Sequence, residues 1–176
     1  MASTPDPVAE AAEYQSFILG KLGDDDPVPV QTSTPGDLRE LVKQAGDRVR
    51  TRPAEGEWSV LEVAGHILDC EVACTGRYRW IVAHDEPTLI GYDQDLWVSR
   101  LRHNEADPEE LLSFFETLRR ANLDLWARSS AEERQRVGMH EERGPESFEL
   151  LFRLIGGHDR NHVEQARQTL QAVLSG

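Results

Sequence analysis

Trp58-Ser59-Val60-Leu61-Glu62-Val63-Ala64-Gly65-His66-Ile67-Leu68-Asp69 is the stretch on which the fold class turns. Ser59 and Glu62 stand in capping-box relation, the hydroxyl placed to accept from the Glu62 amide while the Glu62 carboxylate reaches back to the Ser59 amide. A helix is predicted to start here and to run to about Ala83. Its apolar residues, Val60, Val63, Ala64, Ile67, Leu68, Val72 and Ile81, are spread widely round the axis, the pattern of a helix buried on more than one side. Such a helix needs neighbours on several faces.

The flanking sequence supplies them. Toward the N-terminus, Ser33-Thr34-Pro35 reads as the cap and first-turn proline of a helix to about Arg48, with Leu38, Leu41, Val42 and Ala45 on its buried face. Before it, Asp6-Pro7 opens a helix-like run from Val8 to Leu22, and Gly23 with Asp24-Asp25-Asp26-Pro27 closes it. Residues 1–30 are therefore read as a helical extension and residues 31–176 as the main domain. Toward the C-terminus lies a long connection, His84 to about Asp107, with a short helix around Asp95 to Leu101. Asp107-Pro108-Glu109-Glu110 then starts a helix to about Arg128 that carries Leu111, Leu112, Phe115, Leu118, Leu123 and Trp126. Ser130 to Glu133 reads as one further turn, and the last helix runs from near Glu146 to about Leu174. No alternating run reaches convincing strand length, although Arg136 to Glu141 suits an isolated extended piece. The expected architecture is all-α: an antiparallel four-helix bundle with an additional N-terminal helix and a long connection between bundle helices two and three.

Composition narrows the function. Among 176 residues, 32 acids against 19 bases give a formal charge of −13. The bases are scattered along the chain, so nucleic acid is not an expected partner. No apolar run is long enough to cross a bilayer and the N-terminus lacks the features of a signal peptide, so no membrane association and a cytoplasmic location are expected. Cys70 and Cys74, four apart on a predicted helix, are read as reduced thiols. If the chain is an enzyme, a small-molecule substrate is the expected partner, with homodimer formation through the N-terminal helix as a further expectation.

The chemistry concentrates in Ile155-Gly-Gly-His-Asp-Arg-Asn-His-Val-Glu-Gln165. On a helix, His158 and His162 lie one turn apart on one face and can point at a single ion. Imidazole suits zinc, nickel, copper or iron(II), but two rings do not hold a labile divalent ion tightly, so a third ligand is required. His66 is the candidate: it sits in an apolar context where an unpartnered polar ring costs roughly 1 to 3 kcal/mol, and facing helices of a bundle can share an interior point. Gly156 and Gly157 either let a neighbouring helix or a substrate approach the backbone or mark a kink.

These segments, with Leu89-Ile90-Gly91-Tyr92-Asp93-Gln94-Asp95-Leu96-Trp97, resemble the DinB-like family from about Pro35 to Leu174. The resemblance implies a four-helix bundle whose His triad, here His66, His158 and His162, binds a divalent metal: zinc or nickel, with iron or manganese as alternatives. It implies either a thiol S-transferase that uses a low-molecular-weight thiol as cosubstrate or a metal-dependent hydrolase. The competing reading is a non-catalytic, metal-stabilised stress-response or binding module.

Other residues have two readings each. Asp69 serves as a general base or orients a ligand imidazole, or else is a solvated acid at a helix edge. Cys70 is a fourth ligand or, preferably, a core cysteine. Arg77 returns to nearly the face of His66 and holds an anionic substrate, or forms a surface ion pair. Tyr92 and Trp97 bind substrate at the pocket mouth, or anchor the connection by packing. Asp159 and Glu164 are expected to meet water, and His84, His103 and His140 are assigned nothing.

Overall fold

The computed structural model of the chain describes residue 5 and residues 9–175. The helix opening expected at Asp6, Pro7 and Val8 lies outside the described residues. Helix α1 spans Ala11–Leu22, α2 Pro27–Ala45, α3 Val60–Ala83, α4 Gln94–Arg100, α5 Pro108–Arg128, α6 Ala131–Arg134 and α7 Phe148–Ser175; short strands β1, β2 and β3 occupy Thr88–Leu89, Val137–His140 and Gly144–Ser147. No helix among the described residues is long and apolar enough to cross a membrane.

Helices α2, α3, α5 and α7 form the four-helix bundle. Both α2 and α3 pack against α5 and against α7, so the two central helices adjacent in sequence sit largely across the bundle from each other. The capping box predicted for α3 is made: Glu62 N donates to Ser59 Oγ at 3.1 Å, and Ser59 N to Glu62 Oε2 at 2.9 Å. Buried Val60, Leu61, Val63, Ile67, Leu112, Phe115, Ala166 and Leu170 fill the space between the helices. A second apolar cluster gathers Tyr78, Ile81, Leu89, Phe148 and Phe152 toward the small sheet. Each such aliphatic or aromatic side chain contributes about 1.5 to 3 kcal/mol on burial.

Two expectations are corrected. The first bundle helix starts at Pro27, not at Ser33-Thr34-Pro35. The Asp26 side chain accepts from Val28 N at 3.0 Å and Pro27 occupies the first turn, which is the stronger cap. Pro35 is consequently inside α2, where it has no N–H to give the Gln31 carbonyl. Arg119 Nη1 donates to that carbonyl instead, at 3.0 Å, so the missing helical hydrogen bond is replaced from α5. The second correction is the sheet. The extended piece around residues 136–141 is not isolated: β2 pairs in parallel with β1 and antiparallel with β3, with Leu89 opposite His140 and Pro145 opposite Met139. Strands of two and four residues, one carrying a proline, are too short for alternation to reveal.

The double glycine marks an approach, not a kink, since α7 runs unbroken through it. A Cβ on Gly157 would stand 2.0 Å from the Ile18 carbonyl oxygen of α1, and one on Gly156 would meet Pro27 Cβ at 3.1 Å. The N-terminal helix therefore lies against α7 backbone to backbone. Gly157→Ala is expected to lower stability by about 3 kcal/mol through overpacking. Gly20→Ala, where nothing lies within 4 Å of the added methyl, is expected to raise it by up to about 1 kcal/mol through helix propensity. Urea midpoints compare the two, and a Gly157→Ala midpoint at or above that of the parent would contradict this docking.

Candidate metal centre

His66 projects from α3, and His158 and His162 from α7, each of them buried. One ring nitrogen from each lies within 4.8 Å of those of the other two. His66 Nε2 and His158 Nε2 are 3.0 Å apart, close to the separation of about 3 Å that two nitrogens have when each is about 2.0 to 2.1 Å from one ion. His162 Nδ1 donates to Gln165 Oε1 at 2.7 Å, which fixes that ring's tautomer and leaves the Nε2 lone pair free. His162 Nε2 is buried without a hydrogen-bond partner among the described residues, as are Nδ1 of His66 and Nδ1 of His158. Trp58 backs the His66 ring, their centroids 5.0 Å apart.

Electrostatics prepare these rings as ligands. Burial pushes His158 down to about 4 and His162 to about 3, the latter helped by the neighbouring His158 imidazole. Burial, with the imidazoles of His162 and His158, holds His66 well below the ordinary histidine range. All three rings are therefore neutral near pH 7, and no proton has to leave before a lone pair is offered. A set of neutral imidazoles with buried, unsatisfied nitrogens fits a divalent transition metal better than it fits an anion or an alkaline-earth ion.

Beside the triad opens a cavity of about 310 Å³ whose walls include His66 and His158. Helix α1 contributes Tyr14 and Ile18, α3 contributes Cys70, Cys74 and Arg77, the long connection Tyr92, and the sheet region His140 and Arg143. Arg77 is buried, donates to the Ile90 carbonyl at 2.5 Å, and stands 5.9 Å from the Tyr92 ring centroid. It forms no carboxylate ion pair among the described residues, so the surface-pair reading is corrected: a guanidinium beside the cavity remains available to a ligand. Tyr92 lies at the cavity and Trp97 packs behind it, centroids 4.4 Å apart.

Asp69 is not a solvated acid. It is 4% exposed and its Oδ2 sits 2.6 Å from His103 Nε2, so its carboxylate is engaged by His103. His103 reaches it by packing on Gly65, where a Cβ would come within 2.3 Å of the imidazole. Asp159 is also buried, contrary to expectation: together with Glu71 it holds Arg119, at the junction of α3, α5 and α7. His103, His140, Glu71, Arg119 and Asp159 are the polar residues that pattern reading passed over or placed in solvent. A signal did exist for three of them. Arg119 falls on the stripe Phe115-Arg119-Asn122, Glu71 on Ile67-Glu71-Cys74-Tyr78 and Asp159 on Ile155-Asp159-Val163, all of them buried faces.

The profile of the DinB superfamily matches residues 32–166, beginning within α2 and leaving α1 outside. A protein of Bacillus cereus (strain ATCC 10987), named "Putative metal-dependent hydrolase", is 22% identical over 130 residues, 73% of this chain and 75% of that one. A Geobacillus kaustophilus protein whose name carries the same words is 30% identical over 89 residues, 50% of this chain and 44% of that one. Among solved structures, the fold matches one described as "YfiT from Bacillus subtilis is a probable metal-dependent hydrolase with an unusual four-helix bundle topology", with a TM-score of 0.77 and 19% identity over 85% of this chain and 86% of that one.

Proposed function

The chain belongs to the DinB superfamily, and we propose that it is a metal-dependent enzyme acting on a small molecule, with His66, His158 and His162 as the metal ligands. The observation that carries this reading is the position of the triad: three buried imidazoles converge within 4.8 Å of one another, and two of them, His66 and His158, form part of a cavity wall rather than a closed, filled core. A structural site would be expected to offer a fourth protein ligand, and no Cys, Asp or Glu joins the three histidines among the described residues. That contrast favours catalysis over the metal-stabilised binding module.

A divalent ion held there, zinc or nickel in first place and iron or manganese as alternatives, supplies Lewis acidity that lowers the pKa of a coordinated water or thiol. The chain's own residues do the rest. Gln165 sets the His162 tautomer, and Trp58 restrains the His66 ring. Arg77 places a positive charge at the cavity to orient an electron-rich group, and Tyr92 bounds its outer part. The cavity volume, about 310 Å³, suits a small substrate. Hydrolysis is the reaction that the relatives' names support; transfer to a small thiol is the competing reaction of the same site.

Protein purified without a nickel column is expected to carry close to one divalent ion per chain by inductively coupled plasma mass spectrometry. It is expected to hydrolyse a member of an ester, amide and phosphoester panel, or to consume a small thiol with a chlorinated aromatic electrophile, in a metal-dependent manner. A chain that takes up no metal on reconstitution would end the enzyme reading. Stoichiometric metal without turnover in either assay would leave the binding module.

A further inference from the structure

Cys70 lies one turn beyond His66 on α3, and Cys74 one turn further; all three border the same cavity. Cys70 is partly exposed there, whereas Cys74 is 1% exposed. Tyr92 and the guanidinium-bearing Arg77 line the cavity with these two thiols. Interaction with these groups, Cys74 foremost, draws the Cys70 thiol below its ordinary value, while interaction with Cys70 and burial push Cys74 well above its own. The sulfur that is the less buried of the two at the cavity is thus also the more acidic.

A second observation points to a ligand. His140, at the end of β2, is 3% exposed and borders this cavity. Its Nδ1 accepts from Glu142 N at 3.2 Å. Burial, reinforced by Arg143, pushes it down to about 4, so the ring is neutral near pH 7 and carries its proton on Nε2. That Nε2–H has no partner among the described residues. An unsatisfied buried donor is destabilising, and a ligand oxygen would satisfy it.

We infer that the Cys70 sulfur is a nucleophile of this cavity, a covalent acceptor for a small electrophile whose carbonyl-type oxygen is received by His140 Nε2–H. The inference goes beyond the metal reading and does not require it. With iodoacetamide as probe, the Cys70 sulfur bonds to the methylene carbon, the carbon–iodine bond breaks, iodide leaves with the electron pair, and the thiol proton passes to water.

The test is alkylation of the protein as purified at pH 7, followed by peptide mapping. Metal content is read on the same sample, so failure here and failure of the metal site are told apart. Cys70 is expected to be modified in preference to Cys74 and about 10-fold faster than N-acetylcysteine, the gain of a lowered thiol pKa. Tyr92→Phe is expected to slow it several-fold and to shift its pH profile to higher pH. His140→Ala is expected to slow iodoacetamide several-fold while leaving iodomethane, which has no carbonyl, unchanged. Reaction of Cys70 no faster than the free thiol, or labelling of Cys74 at an equal rate, would overturn the nucleophile. A His140→Ala effect that is absent, or equal for both reagents, would overturn the oxygen-binding role.

Discussion

Arg119→Met is expected to lower stability by about 3 to 5 kcal/mol, enough to unfold much of the population of an ordinary domain. Arg119 is 1% exposed and among the largest fully buried side chains. Its guanidinium donates to Glu71 Oε2 at 2.8 Å and to both oxygens of Asp159, and also fills the Gln31 carbonyl that Pro35 leaves open. Glu71 is held further by Asn122 at 2.8 Å and Asp159 by Thr34 at 2.8 Å, so one network joins α2, α3, α5 and α7. Removing the cation leaves two buried carboxyl groups facing the gap with no counter-charge, and that uncompensated burial sets the size of the loss. Lysine is expected to rescue little, because an ammonium cannot present the fork that meets two carboxylates and a carbonyl together. The triple variant Arg119→Met, Glu71→Gln, Asp159→Asn is expected to recover most of the stability, since it removes the charges along with their partner. Urea denaturation at pH 7 checks the series; a single variant within about 1 kcal/mol of the parent would mean that the network is not closed as described.

The contrast between what the sequence revealed and what it hid follows from the range over which each feature is determined. Helix α3 announced itself because Ser59 and Glu62 are three residues apart and Val60 to Ile81 cover its whole circumference; both signals are local. His158 and His162 were legible for the same reason, and His66 because a polar ring in an apolar run requires an explanation. Arg119, Glu71 and Asp159 lie on stripes that helical periodicity alone identifies, but a charged residue on such a stripe reads as a break in it unless its partners are known, and those lie 40 and 48 residues away. A separation of 88 residues hid the continuity of α2 through Pro35. Thr34-Pro35 looks like a helix start, and only the Arg119 guanidinium on the Gln31 carbonyl makes proline tolerable in the interior. His140 and Arg143 reach the cavity from the end of β2 and the turn after it, and the pairing of two-residue β1 with four-residue β2 across 51 positions leaves no periodic trace.

His158→Ala is expected to weaken divalent-metal binding by about 100- to 1000-fold while the chain stays helical. The magnitude follows from four-ligand zinc sites, where binding of about 10 to 16 kcal/mol amounts to roughly 2.5 to 4 kcal/mol per ligand. Retention of fold follows from the position of the core. Apolar burial around Phe115 and Leu61, and around Phe148 and Phe152, does not pass through the triad. Truncating His158 also removes a buried Nδ1 that has no partner among the described residues, which offsets part of the packing lost with the ring. Gln165→Ala grades the effect: it leaves every ligand in place but frees the His162 Nδ1–H that Gln165 Oε1 accepts at 2.7 Å, and a loss of about 10-fold is expected from an orienting partner of this kind. Competition with a chromophoric chelator measures both affinities, and circular dichroism of the metal-free proteins measures the fold. Unchanged affinity in His158→Ala would remove α7 from the metal centre. Collapse of its helicity without metal would instead make the triad a structural clasp, and the cavity beside it would lose its claim to catalysis.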